Sequence, residues 1–210
     1  MTTATTPSTG RKLAFNIQPG ESYTIRRKVF KIFGAAFHIY DPSGNLAGYC
    51  KQKAFKIKED IRIYTDESMQ QELVSIRARH VLDFSTTYDV TLPDGFAMGS
   101  LRRKGLSSTF LRDEWLMFDD KNRQVAVVKE DNAFAAFCRR YLDFVAFFFP
   151  QKFTLTKTDG TPIAKFRQHF NPLVFRMSVA VLADDPEIND LVILATGCLL
   201  TAIEGRQSGG

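Results

Sequence analysis

Asp185-Pro-Glu-Ile-Asn-Asp-Leu-Val-Ile-Leu-Ala-Thr-Gly-Cys-Leu-Leu-Thr-Ala-Ile203 is the stretch on which the fold turns. Asp185 is a natural helix N-cap, Pro186 suits the first helical position, and Glu187 complements the helix dipole. The helix is therefore expected over residues 188–203, apolar on all sides. Between Leu191 and Leu200 the one polar side chain is Thr196. A helix with no polar face must be surrounded, either by lipid or by protein. About 16 residues span about 24 Å at the helical rise, short of the ~20 residues a bilayer core requires. Thr196 and Gly197 at its centre suit close packing. The stretch reads as a helix buried inside the chain's own fold.

Upstream, turn signals recur between β-prone runs. They are Asp41-Pro-Ser-Gly-Asn45, Thr65-Asp-Glu-Ser68, Pro93-Asp-Gly95, Asp119-Asp-Lys-Asn122 and Thr158-Asp-Gly-Thr-Pro162, and each residue type favours a turn for its own backbone reason. Asp41, Asp66, Asp94 and Asp119 are spaced by 25, 28 and 25 residues, and Asp159 follows after 40. Residues 37–40, 61–64, 88–92, 115–118 and 153–156 lead into the turns as strands. Residues 46–52, 72–79, 97–103, 124–129 and 163–169 lead out. Outgoing strands share a small or β-branched residue, an apolar one and then a basic one, as in Val74-Ser-Ile-Arg77 and Gly99-Ser-Leu-Arg102. This is a repeated hairpin unit, too irregular for a solenoid.

Ten or more strands in a meander expose sheet edges unless the sheet closes. A barrel of that size has a lumen too wide for its own inward side chains to fill. The apolar C-terminal helix is the natural plug. The expected fold is mainly β, a closed antiparallel barrel around a buried hydrophobic C-terminal helix. Residues 1–19 form a Thr/Ser-rich tail without an apolar core, 20–204 the barrel domain, and 205–210 a flexible tail. In the long gap, residues 131–144 show aromatic residues at helical spacing (Phe134, Phe137, Tyr141 and Phe144), which predicts an amphipathic helix, with Phe147 to Phe149 opening the next strand.

Composition fits this picture. Of 210 residues, 44% are apolar and 24% charged, enough for a sizeable core, and 19 Phe point to β-rich packing. The net charge of +5 favours anionic partners, phospholipid headgroups or nucleic acid, unless it merely keeps the protein dispersed. Cys50, Cys138 and Cys198 are far apart and odd in number, which suggests neither a disulfide framework nor a zinc site and points to a reducing, cytoplasmic setting.

Phe37-His-Ile-Tyr-Asp41-Pro-Ser-Gly44 resembles the hairpin that opens proteins of the LURP-one-related and phospholipid scramblase group. Ile61-Arg-Ile-Tyr64, Thr87-Tyr-Asp-Val90 and Gly99-Ser-Leu-Arg-Arg-Lys104 resemble later members of the same series, and Asp185-Pro-Glu-Ile188 before an apolar helix is similar to the ending these share with the Tubby C-terminal domain. The resemblance covers roughly residues 20–204. It implies a closed barrel of about twelve strands threaded by the C-terminal helix. It also implies a function in the neighbourhood of lipid, since Tubby domains bind phosphoinositides and scramblases are associated with lipid movement. LURP-one relatives are linked to plant defence. The chain departs from scramblases in having no Pro-rich N-terminal region, no palmitoylation-type Cys cluster and no acidic calcium loop, so calcium-dependent scrambling is not carried over.

Residues two apart on a strand share a face. Lys51 with Lys53, Arg77 with Arg79, and Arg102 with Lys104 should thus point one way, while Ile76, Ala78 and Leu101 point inward. Together with Arg103, these basic residues are the expected ligand-binding set, a basic rim for phosphates set against a plain solvated barrel face. A second cluster, Arg26-Arg27-Lys28 with Lys31, lacks any nucleic-acid motif, so no nucleic-acid partner is expected. His38, His80 and His169 lie on different strands with no Cys or His at ligand spacing, so no metal or other cofactor is expected. No GxSxG, Walker or GxGxxG motif occurs. The chain reads as a non-enzymatic binding module, peripheral at an anionic membrane, with a structural or protein-interaction domain as the alternative.

Overall fold

The computed structural model describes residues 18–27, 36–52, 59–79, 86–104, 114–131, 150–169 and 174–207, with side chains in the last stretch described as far as Ile203. Among these residues there are twelve strands: β1 (Ser22–Arg27), β2 (Ala36–Tyr40), β3 (Leu46–Gln52), β4 (Asp60–Tyr64), β5 (Glu72–Ala78), β6 (Thr87–Thr91), β7 (Ala97–Arg103), β8 (Glu114–Phe118), β9 (Gln124–Glu130), β10 (Lys152–Lys157), β11 (Pro162–His169) and β12 (Arg176–Val181). Each pairs antiparallel with its sequence neighbours, and β1 closes the barrel against β12. The ten strands read from the turn pattern all form. β1 and β12 are the two that turn signals do not bracket. The predicted helix over 131–144 and the Phe147 to Phe149 run fall mostly outside the described residues.

The hairpin repeat of the sequence is a repeat in space. In all five hairpins the register slips close to the turn, at the last residue of the incoming strand in four (Ile39/Tyr40, Ile63/Tyr64, Val90/Thr91 and Met117/Phe118) and one residue earlier in β10 (Leu155/Thr156). Each following turn is held by its aspartate, whose Oδ1 accepts a backbone N–H from Asn45 (2.8 Å), Ser68 (2.7 Å), Phe96 (3.1 Å), Lys121 (2.9 Å) or Thr161 (2.8 Å). These Asx contacts supply the turn with an acceptor that the sheet ladder cannot. Because the repeat is strand–turn–strand, the five turns and the β12-to-helix connection gather at one end of the barrel. The chain passes between hairpins at the other, through segments outside the described residues.

The last element, α1 (Asp190–Gln207), runs down the lumen. Its side chains from Leu191 to Ile203 are buried all round, against inward residues such as Ile25, Phe37, Ile63, Phe153, Phe166 and Val179. Thr196 and Thr201 are tolerated there because each hydroxyl donates to the carbonyl four residues back, Val192 (2.7 Å) and Gly197 (2.7 Å). Gly197 sits where the helix comes closest to the wall. A Cβ there would lie 2.6 Å from Val179 Cγ2 and 3.0 Å from Ile25 Cδ1. On β3, burial first and then the neighbouring Cys198 push the Cys50 thiol well above its ordinary pKa.

The start of the helix differs from expectation. Asn189 is the N-cap: its Oδ1 accepts from Leu191 N at 2.8 Å and its carbonyl from Ile193 N at 3.1 Å. Asp185 instead caps the turn before it, accepting from Glu187 N at 2.8 Å, and pairs with Lys157 at 2.7 Å. Both sequences are good N-caps. The ion pair to β10 holds Asp185 at the barrel rim, and Asn189 stands where the chain enters the lumen.

Three expectations follow. Leu194→Asp should leave no cooperative unfolding transition, because an unpaired charge would sit at a fully buried position, while Leu194→Ala should fold with about 2–5 kcal/mol less stability. A soluble Leu194→Asp protein with native circular dichroism would contradict the buried helix. Gly197→Ala, favourable in an open helix by about 1 kcal/mol, should here lower the thermal midpoint, since overpacking costs about 1–3 kcal/mol. Acid should destabilise the turns. The carboxyls of Asp41, Asp119 and Asp159 are held below their usual range chiefly by backbone N–H bonds from Asn45, Arg123 and Thr161, and that of Asp66 chiefly by the Ser68 side chain. Their contribution is complete above the unfolded value near about 3.9 and is lost as pH falls through the lower folded values. The thermal midpoint should therefore be flat above about pH 5 and fall below about pH 4, less steeply in Asp119→Asn.

Candidate functional site

The repeat also sorts charge along the barrel axis. The aspartates that hold the turns (Asp41, Asp66, Asp94, Asp119 and Asp159) lie at one end, with Asp185 beside them. The basic residues that end the outgoing strands, among them Lys51, Arg77, Arg102 and Lys129, lie toward the other, joined by Lys152 and Arg176 at the starts of β10 and β12. The barrel is acidic at its turn end and basic at the opposite end. α1 runs with its N-terminus at the acidic end and its C-terminus toward the basic one, so its macrodipole is compensated at both.

On the wall formed by β3 to β8, the expected binding residues take separate roles. Ile76, Ala78 and Leu101 face inward, as alternation requires. Lys51 lies across from Arg62 on β4. Arg77 is 53% exposed and 4.0 Å from Asp60, which also takes Arg62 Nε at 3.1 Å. Arg79 grips Asp89 with Nε at 2.8 and 2.9 Å and Nη2 at 2.6 Å, a fork that raises its already high pKa. Arg102 donates to Thr87 Oγ1 at 3.2 Å and lies over the Phe118 ring at 4.7 Å. Lys104 meets Glu114 at 3.4 Å. Arg103 belongs to the opposite face, with Leu101, its guanidinium 5.7 Å from the centre of the Trp115 ring. Lys53 lies outside the described residues. Lys51, Arg77, Arg102 and Lys104 thus share an outer wall, but Asp60, Asp89 and Glu114 are interleaved among the basic side chains there and neutralise much of the charge.

The wall formed by β10, β11, β12 and β1 is different. Its outward positions are Lys152 and Thr154 on β10, Lys165, Arg167 and His169 on β11, Arg176 and Ser178 on β12, and Thr24 and Arg26 on β1. None of these is a carboxylate. Cross-strand register sets cation against cation, Lys152 opposite Arg167 and Arg176 opposite Arg26, with His169 on the other side of Arg176. Among the described residues no ion pair is made by Arg26, Lys152, Lys165, Arg167 or Arg176, and Arg176 Nε is buried with no hydrogen-bond partner. His169 bonds Ser178 Oγ at 3.0 Å; burial first, then the charges of Arg167 and Arg176, hold its pKa below the ordinary value. Like charges directly opposite are destabilising in a sheet, and here they recur without compensation.

Sequence reasoning placed Arg26 in a separate basic cluster and Arg167 within the outgoing strand 163–169, with nothing to join them. What joins them is the β1–β12 closure, which brings into contact strands about 150 residues apart. The signal present in the sequence is the alternation Arg176-Met-Ser-Val-Ala-Val181, outward polar and inward apolar, which marks β12 as a half-exposed strand.

Among the described residues no helix is long and apolar enough to cross a membrane. His38 is bonded to Glu67 and His80 lies outside the described residues. Comparison with curated proteins and with solved structures gives no match. A family model described as LURP-one-related matches residues 47–196, from the start of β3 into the second turn of α1. With this match covering more than half its length, and with the closed barrel and central helix in place, the chain belongs to the LURP-one-related family.

Proposed function

We propose that this barrel is a non-catalytic binding module that recognises anionic phospholipid headgroups, phosphoinositides among them, from the cytoplasmic face of a membrane. The observation that carries this reading is the separation of charge along the axis. A protein with one acidic and one basic end turns in the field of an anionic surface, basic end first, before any contact forms. Each Lys or Arg near such a surface contributes about 1 kcal/mol, and the attraction decays within the Debye length of about 8 Å at physiological salt. Basic residues of the β3 to β8 wall, such as Arg77 and Lys104, add to that attraction even where carboxylates hold them.

A second reading, a protein-interaction domain without a lipid role, has its own support. Among the described residues the exposed large apolar side chains, Leu46, Met69, Phe96 and Leu182, all lie at the turn end, and Phe96 is 57% exposed. That end is acidic and would be repelled by an anionic bilayer, so a partner bound there would be a protein.

Sedimentation of the purified chain with vesicles separates the readings. Binding to phosphatidylcholine vesicles doped with phosphatidylinositol bisphosphate, retained at about 0.15 M salt and absent from phosphatidylcholine alone, is the expected result. Binding that vanishes at physiological salt would reduce the interaction to non-specific charge. No binding at any salt would leave the protein-interaction reading.

A further inference from the structure

We infer that the outward wall of β10, β11, β12 and β1 is the surface that contacts lipid phosphates, with Arg26, Arg167 and Arg176 as its principal ligands and Lys152 and Lys165 as flanking charges. The inference rests on the phospholipid reading above and adds the place and the chemistry. Arginine presents a planar fork of donors that matches phosphate oxygens and remains charged at every relevant pH. Arg176 on β12 lies between Arg26 on β1 and His169 on β11, at adjacent register positions about 5 Å apart. Arg167 lies two residues along β11 from His169, about 7 Å away on the same face. A phosphate placed over β12 is therefore within reach of guanidinium groups from three strands.

Three observations separate this wall from the rest of the basic end. Arg26, Arg167, Arg176, Lys152 and Lys165 make no ion pair among the described residues, whereas Arg79, Lys104 and Arg62 on the other wall do. Arg176 Nε is buried with no acceptor among the described residues. Cations also face cations at two register positions, Lys152 with Arg167 and Arg176 with Arg26, an arrangement that disfavours the folded sheet on its own and becomes favourable when anions lie between them. A fold optimised for stability alone would place glutamate or threonine at one of each pair. Local rules broken without compensation are where function is expected.

The occupant is a surface rather than a free ion. The wall is convex and open: Arg26, Lys152, Lys165, Arg167 and His169 are all exposed. A single soluble phosphate there would be held in high dielectric by flexible side chains. A bilayer offers many phosphates at once, so that each contact raises the effective concentration of the next.

The test compares two pairs of charge removals on the full chain: Arg26→Gln with Arg167→Gln on this wall, and Arg77→Gln with Lys104→Gln on the other. All four positions are exposed, or in the case of Arg77 and Lys104 paired at the surface, so neither protein should melt below the wild type, and the first should melt slightly above it because it relieves both opposed cation pairs. With vesicles containing phosphatidylinositol bisphosphate, the first pair should lose about tenfold or more in affinity and the second less than about threefold. Equal losses, or the larger loss in the second pair, would overturn the assignment while the phospholipid reading stood. A wild-type chain that fails to bind the vesicles would overturn both. Inorganic phosphate, added at the concentration of accessible lipid phosphate, should leave binding unchanged. Displacement by it would show that the wall holds soluble phosphate and would overturn the commitment to a membrane.

Discussion

Enclosure of α1 by the barrel is the constraint on which everything else rests. Leu191 to Ile203 present no face that water could stabilise, and the twelve-stranded wall encloses a space its own side chains do not fill. Helix and barrel each remove the other's defect. The helix is held from two sides: Gly197 lets it approach Ile25, Phe166 and Val179 on β1, β11 and β12, while Cys198 meets Cys50 on β3. These contacts straddle the β1–β12 seam, where the two ends of the chain must find each other. The helix thereby supports the closure that the turn-bracketed hairpins do not supply by themselves.

Much of this was legible in the sequence because it is local. An aspartate that caps its own turn, an alternating strand and an all-apolar helix each leave a mark within about ten residues. A register slip beside the turn in all five hairpins explains why the sequence repeats at all: each unit enters its turn through a bulge and so needs the same Asx turn. The helix start was misplaced because two good caps stand four residues apart. The choice between Asp185 and Asn189 is made by Lys157, which lies 28 residues upstream and is invisible to any local rule.

The charged surface divides along the same line. That basic residues would face outward on β5 and β7 followed from alternation. Whether they were available did not, because Asp89 and Glu114 neutralise Arg79 and Lys104 from adjacent strands, and pairing is a matter of register. Arg103 needed only one more step. It is adjacent to Arg102 and so must take the opposite face, beside Trp115. The cations of β10, β11, β12 and β1 carry no label in the sequence. Arg26 stands 150 residues before Arg176, and closure alone brings it beside the cations of β10, β11 and β12.

The hairpin repeat links the architecture to the proposed role. A unit that needs an aspartate at its turn and tolerates a basic residue at its far end, repeated around a closed ring, separates charge along the axis without any residue being placed for that purpose. The resulting field is a by-product of folding, and it favours any polyanion. What it does not require is the unpaired wall. On β3 to β8 the same unit carries carboxylates that return the far end toward neutrality, and on β10, β11, β12 and β1 it carries none at outward positions. The repeat accounts for orientation, and the departure from the repeat accounts for contact. Specific recognition belongs at the place where the barrel ceases to treat its strands alike.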